Sequence, residues 1–210
     1  MRLSLGLVAA MLALGLAAST AQSAKIRPAP RPKTGAAPWP APKDPMALAR
    51  KAGLHPEHFE HLTYHVHSHL DIFVNGKKIT IPAGIGINIS DPAVQNGFLP
   101  DGSLGYGGIK FCKKPCISPL HTHADYGLLH TETSTPTPNT LGQFFVEWNV
   151  RLTPRCVGGY CKPDNLEFFV NGKRYARDPR KILLVNHTEI AIVIGTPPKT
   201  IPSKFPNVPV

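Results

Sequence analysis

Histidine is the residue type in this chain whose number and spacing most clearly suggest chemistry. Nine of the ten histidines lie in two windows, residues 55–69 and 121–130. Each window contains a His-x-His pair, and alternate residues of a β-strand share one face, so both imidazoles of a pair can reach the same ion. Imidazole is the commonest side-chain ligand of protein-bound metals and suits Zn(II) and Cu(II). The spacing therefore predicts a site for a divalent transition metal, zinc or copper.

Six histidines are candidate ligands. The first window runs into a predicted strand from residue 64, and in the second window a turn at 125–127 would return the chain beside its own His-x-His pair. Ranked from the strongest candidate ligand to the weakest, they are His121, His123, His67, His69, His65 and His130. The alternative is a structural role, in which the imidazoles form a polar strand or hydrogen-bond to the backbone. The remaining histidines are expected at the surface, at caps or in a turn: His55, His58, His61 and His187.

A non-catalytic metal-binding protein is the function that the sequence favours. Met46 is the only methionine beyond residue 21, which disfavours a Met-rich Cu(I) carrier. The first alternative is a metal-dependent hydrolytic enzyme with Glu132 as general base. However, the chain has no His-Glu-x-x-His motif, serine-nucleophile motif or phosphate-binding loop. The second alternative is a cell-surface interaction domain whose histidines form a pH-responsive patch.

The four cysteines form two close pairs, Cys112 with Cys116 and Cys156 with Cys161. In an exported protein this spacing favours two local disulfides that shape loops, although four cysteines allow three pairings. The alternative is that Cys112 and Cys116 are thiolate ligands beside the second histidine window.

The N-terminal residues predict export. Residues 1–21 combine Arg2, an apolar run and a small-residue stretch, which is the pattern of a cleaved secretory signal peptide. We therefore expect a periplasmic or secreted protein with no transmembrane segment after cleavage. Residues 22–45 are rich in Pro, Ala and Lys and predict a disordered tether. Its cations could contact an anionic envelope surface, although a plain leader is the simpler interpretation.

The charge balance excludes one class of partner. The chain carries 23 Lys plus Arg against 13 Asp plus Glu, but the cations form no stripe along the folded region. A nucleic-acid partner is therefore not expected. The metal ion is the one partner that the sequence indicates, and no pattern points to a protein partner.

Residues 46–200 predict a single α+β domain with one small mixed sheet, one main packed helix and an insertion that carries the His-rich strand and loop. Asn75-Gly76 and Asn171-Gly172 each follow a β-branched and aromatic run, which favours a tight hairpin turn. Residues 189–195 are apolar almost throughout, as in a central strand. Residues 201–210 contain three prolines and predict an irregular tail.

The main helix is predicted between the two hairpins. Leu141, Phe144, Phe145 and Trp148 recur at helical spacing and form one apolar stripe, with Asn139 or Thr140 as the cap. Hairpin, helix, strand and strand in this order resemble the β-grasp, ubiquitin-like folds. That resemblance implies a scaffold and no function.

The chain also resembles a family of exported bacterial proteins that share three sequence blocks. In this sequence the blocks are residues 65–76, 116–130 and 140–145. The resemblance implies one domain over the folded region and no particular activity. Members often carry an acidic residue directly after His-Thr-His. This chain has Ala124 at that position, which weakens a carboxylate role there.

Overall fold

The computed structural model describes residues 30–100, 102–161 and 165–208, so the predicted signal peptide lies outside the described residues. Its helices are α1 (Pro45–Lys51) and α2 (Leu141–Glu147), and a 3-10 turn spans Pro179–Lys181. The strands, in chain order, are β1 (Tyr64–Val74), β2 (Lys77–Ile79), β3 (Gln95–Phe98), β4 (Leu104–Gly107), β5 (Leu120–His121), β6 (Leu128–Thr133), β7 (Asn139–Thr140), β8 (Leu152–Thr153), β9 (Cys156–Val157), β10 (Tyr160–Cys161), β11 (Leu166–Val170), β12 (Lys173–Arg174), β13 (Leu183–Leu184) and β14 (Thr188–Ile194).

Strand β1 lies inside the main sheet and carries three of the six histidines of the first window. The sheet runs in the order β12, β11, β14, β1, β6, β5, and β2 also pairs with β1. Strand β14 runs parallel to β1 from Ser68 to Val74, whereas β6 and then β2 pair with the other edge in antiparallel orientation. Strand β14 is buried along its whole length, as its composition predicts. The α+β class with one mixed main sheet is confirmed.

Both Asn-Gly dipeptides form two-residue hairpin turns. Asn75 and Gly76 have φ values of 48° and 77°, and Asn171 and Gly172 have 50° and 72°. Positive φ at both central positions is the requirement of the turn that matches the twist of two antiparallel strands. The turns close β1 onto β2 and β11 onto β12.

Helix α2 packs its apolar stripe into the main core. Thr140 is the N-cap: its hydroxyl accepts the backbone N–H of Gln143, and the Gln143 side chain accepts the Thr140 N–H. This capping box satisfies two donors that a helix start leaves unpaired. The four stripe residues are at most 1% exposed, in agreement with the predicted stripe.

The two faces of the main sheet have different roles. Leu70 and Ile72 of β1 belong to the buried cluster that contains α2, whereas Phe73 packs on the other face with Ala191 and Val193. Because side chains alternate along a strand, the odd-numbered histidines of β1 lie on the face opposite α2. The helix therefore stabilises the sheet without covering these histidines.

Part of the predicted tether is folded, which corrects the expectation of disorder for residues 30–45. Trp39 is 2% exposed and meets Trp148 edge to face at a centroid distance of 5.6 Å. The Trp148 indole N–H donates to the Trp39 carbonyl at 3.1 Å, and the Lys33 N–H donates to the Asn149 carbonyl at 2.6 Å. A single large aromatic side chain thus anchors a segment whose average composition indicates disorder.

Both predicted local disulfides are present. Cys112 is bonded to Cys116 and Cys156 to Cys161, so all four cysteines form disulfides. Residues 201–208 form no helix or strand. Among the described residues, no helix is long and apolar enough to cross a membrane.

Candidate metal centre

Strand register brings the two histidine windows together across three neighbouring strands. His67 of β1 lies opposite His130 of β6, and His130 lies opposite His121 of β5. Directly opposed residues share a face, so these three imidazoles form a row on the face opposite α2. His65 lies opposite Glu132 in the same register, which adds a carboxyl group to the row.

The side chains that meet at this row form what we call the histidine cluster: His65, His67, His121, His123, His130 and Glu132. His121 Nε2 lies 3.1 Å from His123 Nε2, and His67 Nε2 lies 3.1 Å from His130 Nδ1. Glu132 Oε1 lies 3.4 Å from His130 Nδ1, 3.8 Å from His121 Nε2 and 3.0 Å from His65 Nε2. One possible metal-ligand atom from each of His121, His123, His130 and Glu132 lies within 4.8 Å of the other three.

Backbone carbonyls fix the orientation of the two rings of the His-Thr-His pair. His121 Nδ1 lies 2.8 Å from the Ser118 carbonyl oxygen, and His123 Nδ1 lies 2.5 Å from the Tyr106 carbonyl oxygen. A carbonyl oxygen only accepts, so in each ring Nδ1 carries the proton and donates it. In the neutral form of each ring, Nε2 is then left with a lone pair. These two Nε2 atoms lie 3.1 Å apart.

Burial keeps these imidazoles neutral. His121 is fully buried and His130 nearly so, and desolvation lowers the pKa of each well below its usual range, with neighbouring imidazoles adding to the shift. Desolvation, together with His65, His123 and His187, lowers the pKa of His67 to about 4. The pKa of His123 is also lowered, mainly by burial. Protonation of either Nε2 atom near neutral pH is therefore unfavourable, so it does not remove the repulsion between the two acceptors.

The carboxyl group of the cluster has the opposite shift. Burial, and secondarily Glu60, raises the pKa of Glu132 to about 8. At pH 7 the cluster thus consists of neutral imidazoles and a protonated carboxyl group. A bound cation would reverse this preference and favour the carboxylate.

The cluster forms one wall of a cavity of about 270 Å³. His121 is fully buried, whereas the side chains of His123 and His130 are each 12% exposed and border the cavity. The rest of the lining is largely apolar and includes Leu62, Leu99 and Leu128. An ion held by the cluster would therefore be reachable from one side.

His69 does not join the cluster. It lies in a second group of possible metal ligands, with Asp71 and Glu189. Its Nδ1 lies 2.8 Å from Glu189 Oε2, and its Nε2 lies 2.9 Å from the Tyr126 carbonyl oxygen. Asp71 is also near, with Oδ2 at 3.9 Å from Nδ1. Alternation places His69 on the expected face, but β14 supplies a carboxylate that binds its ring.

Sequence reasoning missed one neighbour of the cluster and gave another a different role. Glu60 Oε1 lies 3.3 Å from His123 Nε2, and no spacing pattern in the first window identifies it. Glu132 is expected only as a general base, yet it lies within reach of three imidazoles. Its position two residues after His130 on a strand is the signal that places it on the same face.

The other histidines lie outside the cluster. His58 Nδ1 lies 2.7 Å from the Cys112 carbonyl oxygen, and His61 pairs with Glu57 at 2.9 Å. His55 is exposed, and His187 occupies a turn with φ 60° and packs on Phe205. Because Cys112 and Cys116 are joined by a disulfide, they offer no thiolate ligand.

Comparison with known proteins gives no relative: no family model, curated protein or solved structure matches the chain. The functional conclusion therefore rests on the geometry of the cluster.

Proposed function

We propose that this protein is an exported, non-catalytic metal-binding protein whose histidine cluster holds one Zn(II) or Cu(II) ion. The ligands are His121, His123, His130 and Glu132. The observation that carries the proposal is the 3.1 Å separation of His121 Nε2 and His123 Nε2, two atoms that are left as acceptors when each Nδ1–H donates to a backbone carbonyl. Two buried acceptors at this distance repel each other, and a cation between them turns the repulsion into two bonds.

The distances in the cluster are close to those of a tetrahedral site. Ligand atoms 2.0–2.1 Å from a tetrahedral zinc ion lie roughly 3.4 Å apart. His121 Nε2 lies 3.1 Å from His123 Nε2 and 3.8 Å from Glu132 Oε1, which in turn lies 3.4 Å from His130 Nδ1. These three separations are within a few tenths of an ångström of the tetrahedral value, and all four ligand atoms lie within 4.8 Å of one another.

Hydrogen bonds behind the ligands support the same function. The Nδ1–H groups of His121 and His123 donate to backbone carbonyls. Metal-ligating histidines commonly use the second ring nitrogen in this way, because the bond fixes the ring and increases the basicity of the ligating nitrogen. His65 and His67 border the ligand set and offer further imidazole nitrogens, as Cu(II) or a five-coordinate ion would need.

The proposal includes the scaffold and the compartment. The order β2, β1, β14, β11, β12, with β1 parallel to β14 and α2 between the hairpins, supports a β-grasp scaffold. Strands β5 and β6 then belong to an insertion that pairs with β1 and, together with the loop between the two strands, supplies all four ligands. Two disulfides support a periplasmic or secreted location, as does the signal-peptide pattern of residues 1–21.

A metal-dependent hydrolytic enzyme is the second candidate, because the cavity borders the cluster. In that case three imidazoles hold the ion and Glu132 takes a proton from bound water. The variant Glu132→Gln separates the two roles. A ligand role predicts a fall in metal affinity of roughly tenfold or more, whereas a base role predicts retained metal and lost turnover.

Metal content tests the proposed function. Protein purified from the periplasm without an affinity tag should contain about one zinc or copper ion per chain. The double variant His121→Ala/His123→Ala should contain almost none. The matched control His55→Ala/His61→Ala removes two histidines outside the cluster and should keep the wild-type content. Equal and negligible metal in all three proteins would refute the proposal and favour an interaction domain.

A further inference from the structure

The lining of the cavity beside the histidine cluster has an apolar part and a part that can coordinate a metal ion. Its apolar part comes from three separate segments, which contribute Leu62, Leu99 with Pro100, and Leu128. Its polar part consists of Glu60, His65, His67, His123, His130 and Glu132. A mostly apolar cavity whose polar groups are grouped together has the composition of a small-molecule site, in which those groups orient the ligand, rather than of a water channel.

The ion of the proposed site would face this cavity. Of the four ligands, His121 is fully buried, whereas His123, His130 and Glu132 border the cavity. A tetrahedral zinc site with ligands on the protein side can accept a fifth ligand from the open side, and Cu(II) accepts additional ligands readily. Such a fifth ligand would approach the ion from the cavity.

The net charge of the metal-bound site determines which charge a further ligand should carry. Three neutral imidazoles and one carboxylate leave a divalent ion with one net positive charge. In an apolar cavity such a charge is poorly solvated, so a monoanion is the ligand that neutralises it.

We propose that the cavity binds a small organic carboxylate whose carboxyl group coordinates the metal ion and whose compact apolar body lies against Leu99 and Leu128. This inference rests on the proposed function. The volume, about 270 Å³, corresponds to roughly nine water molecules. It therefore suits an aromatic or short branched acid and excludes a folded peptide segment.

Benzoate is the probe for this site, and Co(II) serves as the spectroscopic ion. Addition of benzoate to the cobalt-loaded full chain should change the visible absorption bands of the ion, with saturation. Benzoate should bind roughly tenfold to a hundredfold more tightly than acetate, because its ring enters the apolar compartment. Benzyl alcohol has the same ring without the charge and should bind far more weakly.

Two variants test the apolar wall. Leu99→Ala should weaken benzoate binding roughly threefold to tenfold while leaving acetate binding unchanged. The matched control is Leu104→Ala, since Leu104 belongs to the same hairpin but is 63% exposed and does not line the cavity. It should bind both anions as the wild type does.

The outcomes separate this inference from the proposed function. If cobalt binds but benzoate leaves its spectrum unchanged, the carboxylate inference is wrong and the metal site stands. Benzoate binding that is equally tight without metal, or no tighter than acetate, would also overturn the inference. If no cobalt binds at all, both proposals fail.

Discussion

Binding of a divalent metal ion at pH 7 should release about one proton per ion, and that proton should come from Glu132. The carboxyl group must lose its proton to become a ligand, whereas the buried imidazoles are already neutral. The perturbation is the addition of Zn(II) to the metal-free protein at a series of pH values. The quantity that the structure predicts is the number of protons released.

The magnitude follows from the pKa values. With a pKa of about 8, Glu132 is about nine-tenths protonated at pH 7 and about one-tenth protonated at pH 9. His67, with a pKa of about 4, contributes almost no protons in this range, and the pKa values of the other three buried imidazoles are also lowered. Proton release should thus fall from about 0.9 to about 0.1 between pH 7 and pH 9. Metal affinity should rise with pH, by nearly tenfold per unit well below pH 8, and then level off.

Calorimetric titration in buffers of different ionisation enthalpy measures the proton count directly. The control variant Glu132→Gln cannot release this proton, so its count should be close to zero at both pH values. Release of two or more protons by the wild type at pH 7 would show that imidazoles are protonated in the metal-free protein. No release would show that Glu132 is not a ligand. Either result would refute the reasoning.

Three further predictions concern the elements that support the site. Gly86 has φ 74°, and a Cβ there would lie 2.3 Å from the Leu120 carbonyl oxygen. The variant Gly86→Ala should therefore displace β5, destabilise the fold by about 1–3 kcal/mol and weaken metal binding. Urea unfolding measures the loss of stability, and metal titration measures the loss of affinity. Trp39→Ala should cost about 3–5 kcal/mol in urea unfolding, whereas the control Phe98→Ala, at an 81% exposed position, should stay within about 0.5 kcal/mol of the wild type. Burial raises the pKa of Glu147 well above its usual range, so its stabilising contribution is complete below the unfolded-state pKa and is lost as pH rises toward the folded-state pKa. The stability of Glu147→Gln relative to wild type should therefore rise with pH by up to about 1.4 kcal/mol per unit; an unfolding free energy difference that does not vary with pH would contradict this.

Local signals predict much of this fold because their causes are local. Asn75-Gly76 and Asn171-Gly172 adopt positive φ at both positions, which few other dipeptides tolerate. Thr140 forms the helix cap with Gln143 three residues away, and the disulfide partners lie four and five residues apart. In each case the residues that determine the structure are neighbours in the chain.

The candidate site depends on both local and distant residues. The turn at 125–127 allows the sequence to place His130 beside His121, and the structure pairs them in register. The environment of His69, in contrast, depends on Glu189, which lies 120 residues later on a parallel strand. No spacing rule connects positions so far apart, so a strand face can be predicted while the partner of one side chain on it cannot.

Trp39 shows the same limit for the N-terminal segment. The Pro-rich composition of residues 22–45 predicts disorder. The described part, residues 30–44, forms no helix or extended strand, but Trp39 occupies a buried position against Trp148. Composition averages over a segment, whereas burial of a single indole provides enough apolar contact to order its neighbours. An isolated tryptophan in a polar segment is therefore a signal for an anchor.

X-ray absorption spectroscopy of the untagged protein, purified with its own metal, is the most direct test of whether the histidine cluster holds a zinc or copper ion. The account predicts a zinc or copper edge, a first shell of nitrogen and oxygen at about 2.0–2.1 Å with three or more imidazoles, and no sulfur. Replacement of His121 and His123 by alanine should abolish the signal. A sulfur shell at about 2.3 Å, or a shell without imidazole scattering, would contradict the account.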